Sequence, residues 1–325
     1  MKQRKNVSYA KYGYIFSLPF IIVFLIFSLY PIIYTAVIGF TNYKGLGVTS
    51  WQFLENPFEN FISIMNNGSF RQALKNTFII WTLNFIPQIT LALLLTAWFT
   101  SRRNKLMGKG LFKVLFYLPN IITAASIAIL FFALFGYPVG PVNSLLAQLG
   151  LVDSPVFFLI SKNASRAIIA FIQFWMWYGY TMLILTSGVL GINPEIYEAA
   201  EIDGTTGLQT FLYITLPNLK TILLYVLITS MIGGLNMFDI PKLFMQGGPD
   251  NSTLTTSVFI YNQAFSGSYL YNRAAAASMI MFVIIAIFSG LLFYVMRDKS
   301  EIQMRKEAKA LEKARKLEIK RQEAV

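Results

Sequence analysis

Two sets of polar and aromatic residues sit inside stretches that are otherwise apolar. Gln173, Met176, Trp177 and Tyr180 fall at i, i+3, i+4 and i+7 within "AFIQFWMWYGYTMLIL", on one face of a helix. Ser230, Gly233, Gly234 and Met237 repeat that spacing within "LITSMIGGLNMFDIPKLF", with Asn236 and Asp239 close by. A polar side chain is costly in apolar surroundings and usually faces a cavity or a partner helix. Amides and hydroxyls there offer hydrogen bonds, aromatic rings offer a flat face, and glycines leave room for a ligand. Taken alone, close helix packing through small residues accounts for the same stripes. Asn84, Gln88 and Asn120 are weaker candidates of the same kind.

Other chemistry is largely excluded. The chain has no cysteine and no histidine, which removes disulfides, thiolate nucleophiles, histidine triads and the usual zinc ligands. A carboxylate-only metal site stays open in principle, but Asp239 is the only acidic residue within a predicted span. The chain carries no GxxxxGK[ST] phosphate-binding loop, so it does not bind and hydrolyse ATP in the usual way. No catalytic residue, metal ligand or cofactor is assigned to it.

The elements that must position these residues are membrane helices. Of 325 residues, 55% are hydrophobic and only 13% charged, a composition suited to lipid. Six stretches, 14–40, 76–100, 112–135, 166–190, 219–243 and 274–296, are long enough to cross about 30 Å of hydrocarbon, which takes roughly 20 residues each. The first is longer than a signal-peptide core and lacks a small-x-small cleavage site, so it reads as a retained span. Lys and Arg set the sidedness. With both termini in the cytoplasm, 20 of the 27 basic residues lie inside: before span one, in the 102–113 loop, at Lys220, and in the tail from Arg297. The expected layout is a cytoplasmic N-terminus (1–13), a six-span domain (14–296) and a basic, solvated or membrane-surface helical tail (297–325). The +12 net charge then reflects topology and attraction to anionic lipid; no soluble basic surface suggests nucleic acid. The outer loop 41–75 is expected to hold a short interfacial helix.

One polar segment, 193–217, interrupts this pattern on the cytoplasmic side. Asn193 caps a helix and Pro194 suits its first turn. Glu195 and Glu198 favour the positive end of the helix dipole. Ala199 and Ala200 let another surface approach, and Gly204 permits the left-handed conformation that ends a helix. A second helical stretch, Leu208 to Ile214, leads to Pro217 and span five. By these features alone the segment is either a plain interfacial connector or a small rigid knob that transmits a push.

Glu198-Ala199-Ala200, then Gly204, then Ile214-x-Leu216-Pro217 resembles the EAA loop of the permeases of binding-protein-dependent ABC importers. "MQGGPDNST", with the turn Gly247-Gly248-Pro249, and "YNQAFSGSYLYNRAAAAS" resemble the sugar-permease branch, of the maltose, glycerol-phosphate and multiple-sugar type. The resemblance covers residues 14–296. It implies a type I ABC importer permease fold: all-α, six membrane spans, a cytoplasmic coupling helix. It implies a non-catalytic subunit in a prokaryotic cell membrane, forming half of a pore for a carbohydrate, with an oligosaccharide the expected class. The partners it implies are a second, homologous permease, two ATPase subunits that carry ATP and Mg, and an external sugar-binding protein. Glu198, Ala199, Ala200, Asp203, Gly204, Leu216 and Pro217 would couple to the ATPase. The stripes of spans four and five would line the sugar path, where aromatic faces stack on sugar rings. The alternatives are glycerol-phosphate or another polar solute, or, in a different class, a stand-alone secondary transporter or membrane enzyme. Neither an internal repeat nor a set of acid, base and nucleophile groups supports the latter.

Overall fold

The computed structural model describes residues 10–45, 47–48, 50–101, 107–267, 269–297 and 307–312. Among these, helices dominate, and the isolated bridge between Thr41 and Phe53 is the one β contact. Arg102, Arg103, Lys105, most of the N-terminal segment and most of the basic tail lie outside the described residues.

The first span runs from Lys11 to Gly39. It comprises α1 (Ala10–Phe24), a π-helical turn (Leu25–Leu29) and α2 (Tyr30–Gly39). Pro31 explains the wide turn. In a regular helix its ring would meet the carbonyl four residues back, at Phe27, and the π turn relieves that contact. The short helix α3 (Glu59–Asn66) follows. Then comes α4 (Gly68–Thr100), capped by Asn67, whose Oδ1 accepts from Phe70 N at 3.1 Å.

The stretch read as span three is two helices. They are α5 (Lys109–Ile121) and α6 (Ala124–Leu134), which meet at 91°. Pro119 removes a donor near the end of α5. Thr123 starts α6 afresh, its Oγ1 accepting from Ser126 N at 3.3 Å. After α7 (Pro141–Gln148) comes the long α8 (Lys162–Leu190). The polar segment gives α9 (Pro194–Ile202), α10 (Gly207–Gln209), a π turn (Thr210–Thr215) and α11 (Leu216–Asn218). The stretch 219–243 is also broken. Its helix α12 (Lys220–Leu235) ends at Asn236, and Pro241–Met245 forms a separate turn. The residues Gly207–Asn218 and Lys220–Leu235 meet at 74°. The chain closes with α13 (Thr256–Phe265) and α14 (Tyr271–Met296). Among the described residues, four helical segments are long and apolar enough to cross a membrane, and six are if each bent pair counts as one span.

The centre of the molecule is α8. Over half (56%) of its most apolar window is buried, against none of that of the first span. Along α8 run α4 and α5. Ala92, Leu95 and Phe99 of α4 pack with Tyr178, Met182 and Leu185 of α8 and Val226 of α12. The closest approach is at Gly179, where a β-carbon would lie 1.9 Å from the Phe116 carbonyl oxygen. Backbone meets backbone there, the kind of contact that holds membrane helices together. Gly179→Ala therefore forces α5 away from α8. Overpacking costs about 1–3 kcal/mol, so a lower melting temperature of the detergent-purified protein is expected. Gly233→Ala, whose β-carbon meets nothing within 4 Å, serves as the unaffected control.

Candidate functional site

The two stripes come together with α4 around a cleft of about 310 Å³. Gln173, Trp177 and Tyr180 supply one wall from α8. Ser230, Gly233 and Gly234 supply another from α12, and Asn84 and Gln88 close the cleft from α4. Tyr225 and Thr229 also line it; the spacing argument missed them because both precede the stripe that starts at Ser230. None of these lining residues is charged.

The floor of the cleft is tied in place. Gln88 Nε2 donates to Thr181 Oγ1 at 2.8 Å and to Ser230 Oγ at 3.3 Å, so one amide pins three helices. Asn84 Nδ2 donates to the Ile80 carbonyl at 3.0 Å. Gln173 is 9% exposed, and its amide has no partner among the described residues. Trp177 stands 43% exposed, edge to face with Tyr180 at a centroid distance of 5.9 Å. The cleft thus offers a flat indole, phenol and hydroxyl groups and one unengaged amide. It can bind a neutral polar ligand; nothing in its lining can act as a charged acid or base.

The remaining stripe residues do other work. Met176 and Met237 are packed in the core with Ile80, Ile127 and Phe244. Asn236 caps the end of α12, its Nδ2 donating to the Ile232 carbonyl at 3.0 Å. Asp239 lies beyond the break, exposed, rather than within a span. Asn120 Nδ2 donates to the Met176 carbonyl at 3.1 Å, tying α5 to α8. The paired glycines differ from each other: a β-carbon on Gly234 would lie 2.5 Å from Trp81 Cδ1, whereas Gly233 faces open space.

At the end of the bundle beyond Leu190, α9 forms a projecting knob. Asn193 Oδ1 accepts from Glu195 N at 3.1 Å. The helix stops at Gly204, with φ +71°. There Gly204 N donates to the Glu201 carbonyl and Thr205 N to the Ala200 carbonyl, both at 3.1 Å, a Schellman closure. The next helix starts with a reciprocal cap between Thr206 and Gln209. Pro217 follows the π turn Thr210–Thr215 as Pro31 follows its own. Tyr197 Oη and Thr215 Oγ1, 3.1 Å apart, hold the two arms together. Glu198, Ala199 and Asp203 are exposed, while Ala200 is buried. Three large apolar residues, Ile202, Leu208 and Tyr213, stand 69–87% exposed.

At the opposite end, the loop carrying Gly247, Gly248 and Pro249 is bent through positive φ at Gln246, Gly247, Asp250 and Asn251. Side chains of α4 and α8 hold it. Asn76 Nδ2 donates to the carbonyls of Asn251 (2.7 Å) and Leu254 (3.0 Å). Arg166 donates from Nε to the Ser252 carbonyl at 2.9 Å and from Nη2 to Asn76 Oδ1 at 2.8 Å. Lys162 pairs with Asp250 at 3.1 Å.

A helical membrane protein with an uncharged central cleft, a capped knob at one end and a buttressed loop at the other is built as a transport subunit. The chain belongs to the family described as binding-protein-dependent transport system inner membrane component, which matches residues 61–306. It is 34% identical to the lactose transport system permease protein LacF of Rhizobium radiobacter, over 88% of this chain and 94% of that one. It is 32% identical to the arabinooligosaccharides transport system permease protein AraP of Bacillus subtilis, over 84% and 85%. Among solved structures, a chain of a bacterial ABC transporter that imports the acidic polysaccharide alginate superposes with a TM-score of 0.71 at 25% identity, covering 87% of this chain and 94% of that one. A chain of the alginate transporter in complex with its pentasaccharide-bound periplasmic protein gives 0.71 at 26% identity, covering 91% and 98%. The chain is an ABC importer permease subunit of the type I fold, and its relatives are transport components.

The Arg166–Asn76 pair carries a structural prediction. Arg166→Ala leaves the Ser252 carbonyl without its side-chain donor and loosens Asn76, which is fully buried. An unsatisfied buried group costs about 1–3 kcal/mol. Hydrogen–deuterium exchange is expected to quicken at 247–256 and to stay unchanged at 193–217.

Proposed function

We propose that this chain forms half of the translocation pore of an ATP-driven importer for a neutral carbohydrate, an oligosaccharide in preference to a sugar phosphate. The uncharged lining of the central cleft carries this reading. A phosphate or carboxylate brought there without a cationic partner would lose hydration worth several kcal/mol. A glycan gives up only hydroxyl hydration, which amides and hydroxyls replace, and Trp177 adds a stacking face. The names of the relatives, with lactose and arabinooligosaccharides, support a carbohydrate. The same lining disfavours glycerol-phosphate and, for this half of the pore, an acidic glycan.

In this reading a second, homologous permease covers the open side of the cleft, and a loaded external binding protein docks over the buttressed loop. Two ATPase subunits, which hold ATP and Mg, receive the α9 knob. Both termini face the cytoplasm, as the distribution of lysine and arginine favours. Closure of the ATPases on ATP pushes the knob, and the short capped helix passes the movement to α8 and α12 because its turn is rigid.

Two outcomes are expected. Trp177→Ala weakens sugar-dependent uptake by the equivalent of about 1–3 kcal/mol, the range for an aromatic stacking platform. Gly233→Leu extends a side chain from a position whose β-carbon meets nothing within 4 Å and lowers uptake with assembly intact; Gly234→Leu, by contrast, starts from a β-carbon 2.5 Å from Trp81 Cδ1 and impairs assembly. Radiolabelled-sugar uptake and co-purification of the complex measure both, and normal uptake in Trp177→Ala and Gly233→Leu would place the sugar elsewhere. At the knob, Glu198→Lys weakens attachment of the ATPase and Gly204→Val distorts the turn. ATP hydrolysis stimulated by the loaded binding protein is expected to fall severalfold in each, and wild-type stimulation in both would refute the coupling role.

A further inference from the structure

A second cleft, of about 400 Å³, lies beside the knob, between the ends of α4 and α8 and the start of α5. It is unlike the central cleft because two lysines border it. Lys109 Nζ donates to the carbonyls of Phe99 (3.3 Å) and Ser101 (3.5 Å). These are terminal carbonyls of α4, where the helix dipole favours a cation. Lys113, one turn further along α5, is half-buried and makes no ion pair or hydrogen bond among the described residues. Its neighbours around the cleft include Leu190 and Ile192, which offer an ammonium nothing. Thr186 also borders the cleft; it is 3% exposed, and its hydroxyl has no hydrogen-bond partner. Glu201 borders an adjoining, smaller cleft beneath α9 that shares Thr100, Ser101 and Tyr197 with this one. The second cleft therefore holds a half-buried cation with no counter-ion among the described residues, beside an apolar wall that runs outward through Leu190, 75% exposed.

We infer that this cleft seats the phosphate of an anionic phospholipid. The chemistry has two parts that a phospholipid supplies together: an anion for Lys113 and Lys109, and acyl chains for the wall of Leu190 and Ile192. The place suits it, because the cleft opens where a membrane span ends and, on the orientation proposed above, at the anionic cytoplasmic leaflet. Pro194 and Tyr197, the first turn of α9, also border it, so a bound headgroup would brace the base of the knob.

The test uses the complete complex, with all its subunits, in nanodiscs of mixed phosphatidylglycerol and phosphatidylcholine. Native mass spectrometry counts the lipid it retains and shows in the same spectrum that the complex is intact. Wild type is expected to retain phosphatidylglycerol in preference to phosphatidylcholine. Lys113→Glu is expected to lower that retention about fivefold or more, the scale of one basic side chain at an anionic surface. Lys113→Arg keeps it. Lys220→Glu, at the same end of the bundle and outside the cleft, leaves it unchanged. Equal retention in wild type and Lys113→Glu, or an equal loss in Lys220→Glu, overturns the site. If inorganic phosphate in the buffer abolishes the preference, a soluble anion is the occupant and the lipid assignment falls. The readout needs no sugar, so failure of the carbohydrate reading leaves it intact, and failure here leaves uptake unaffected as a question.

Discussion

Inside hydrocarbon there is no water to take a hydrogen bond, so every peptide group must be satisfied by the protein itself. This chain ends or breaks its helices in several places nonetheless, and at some of them a side chain takes up the freed carbonyls. Asn60 Nδ2 donates to the carbonyls of Gly39 and Thr41, where the first span ends. Thr255 Oγ1 and Ser257 Oγ donate to the carbonyls of Met237 and Asn236, where α12 ends. Asn76, Arg166 and Gln72 serve the carbonyls of the loop 250–254. Three of these ties, Asn60, Asn76 and Thr255, are themselves buried. They hold the ends of helices that are distant in sequence, and so fix the geometry in which the cleft can exist.

Two kinds of polar residue therefore occur in the spans, and they differ in what their hydrogen bonds reach. The amide nitrogens of Asn76, in α4, and of Asn60, in the short helix α3, donate to backbone carbonyls and their oxygens accept from Arg166 and Asn272, so both are spent on structure. Gln88 points to side chains of two other helices, and Gln173 points to nothing among the described residues. Polar capacity left over is what a ligand can use. The central cleft has that surplus and lacks charge, which is the physical ground for reading it as a site for a neutral, hydroxyl-bearing solute.

Much of this was legible in the sequence. The caps of α9 at Asn193, Pro194 and Gly204 are local devices, set by the residues that carry them, and local devices can be read. The stripes of α8 and α12 were legible as faces through their period. The breaks were not taken from the sequence, although two signals were there: Pro119, and a threonine with a serine three residues on at Thr123. An unbroken apolar stretch masks such signals, since length alone satisfies the criterion for a span. What the pattern could not separate was lining from packing. Met176 shares a helical face with Trp177, and Met237 keeps the stripe's spacing from Gly233 but lies past the end of α12; both are buried among Ile80, Ile127 and Phe244.

The glycines show why that separation needs three dimensions. Gly204 is required by its own backbone, at φ +71°, and a left-handed position after a capped helix can be inferred from its neighbours. Gly179 is required by another helix, since the Phe116 carbonyl occupies the place of a side chain. Gly234 is required by Trp81, a side chain able to move, so a substitution there trades packing against displacement. Gly233 meets nothing, and what its missing side chain leaves is room. One residue type meets four different constraints, and only the first is local. In a membrane protein, where helix contact depends on small residues more than on burial from water, the difference between a glycine that joins helices and one that opens a path lies entirely in what stands opposite it. By that criterion Gly233, open beside Trp177 and Ser230, lines the one uncharged cleft, and Gly179 belongs to the frame that keeps the cleft in shape.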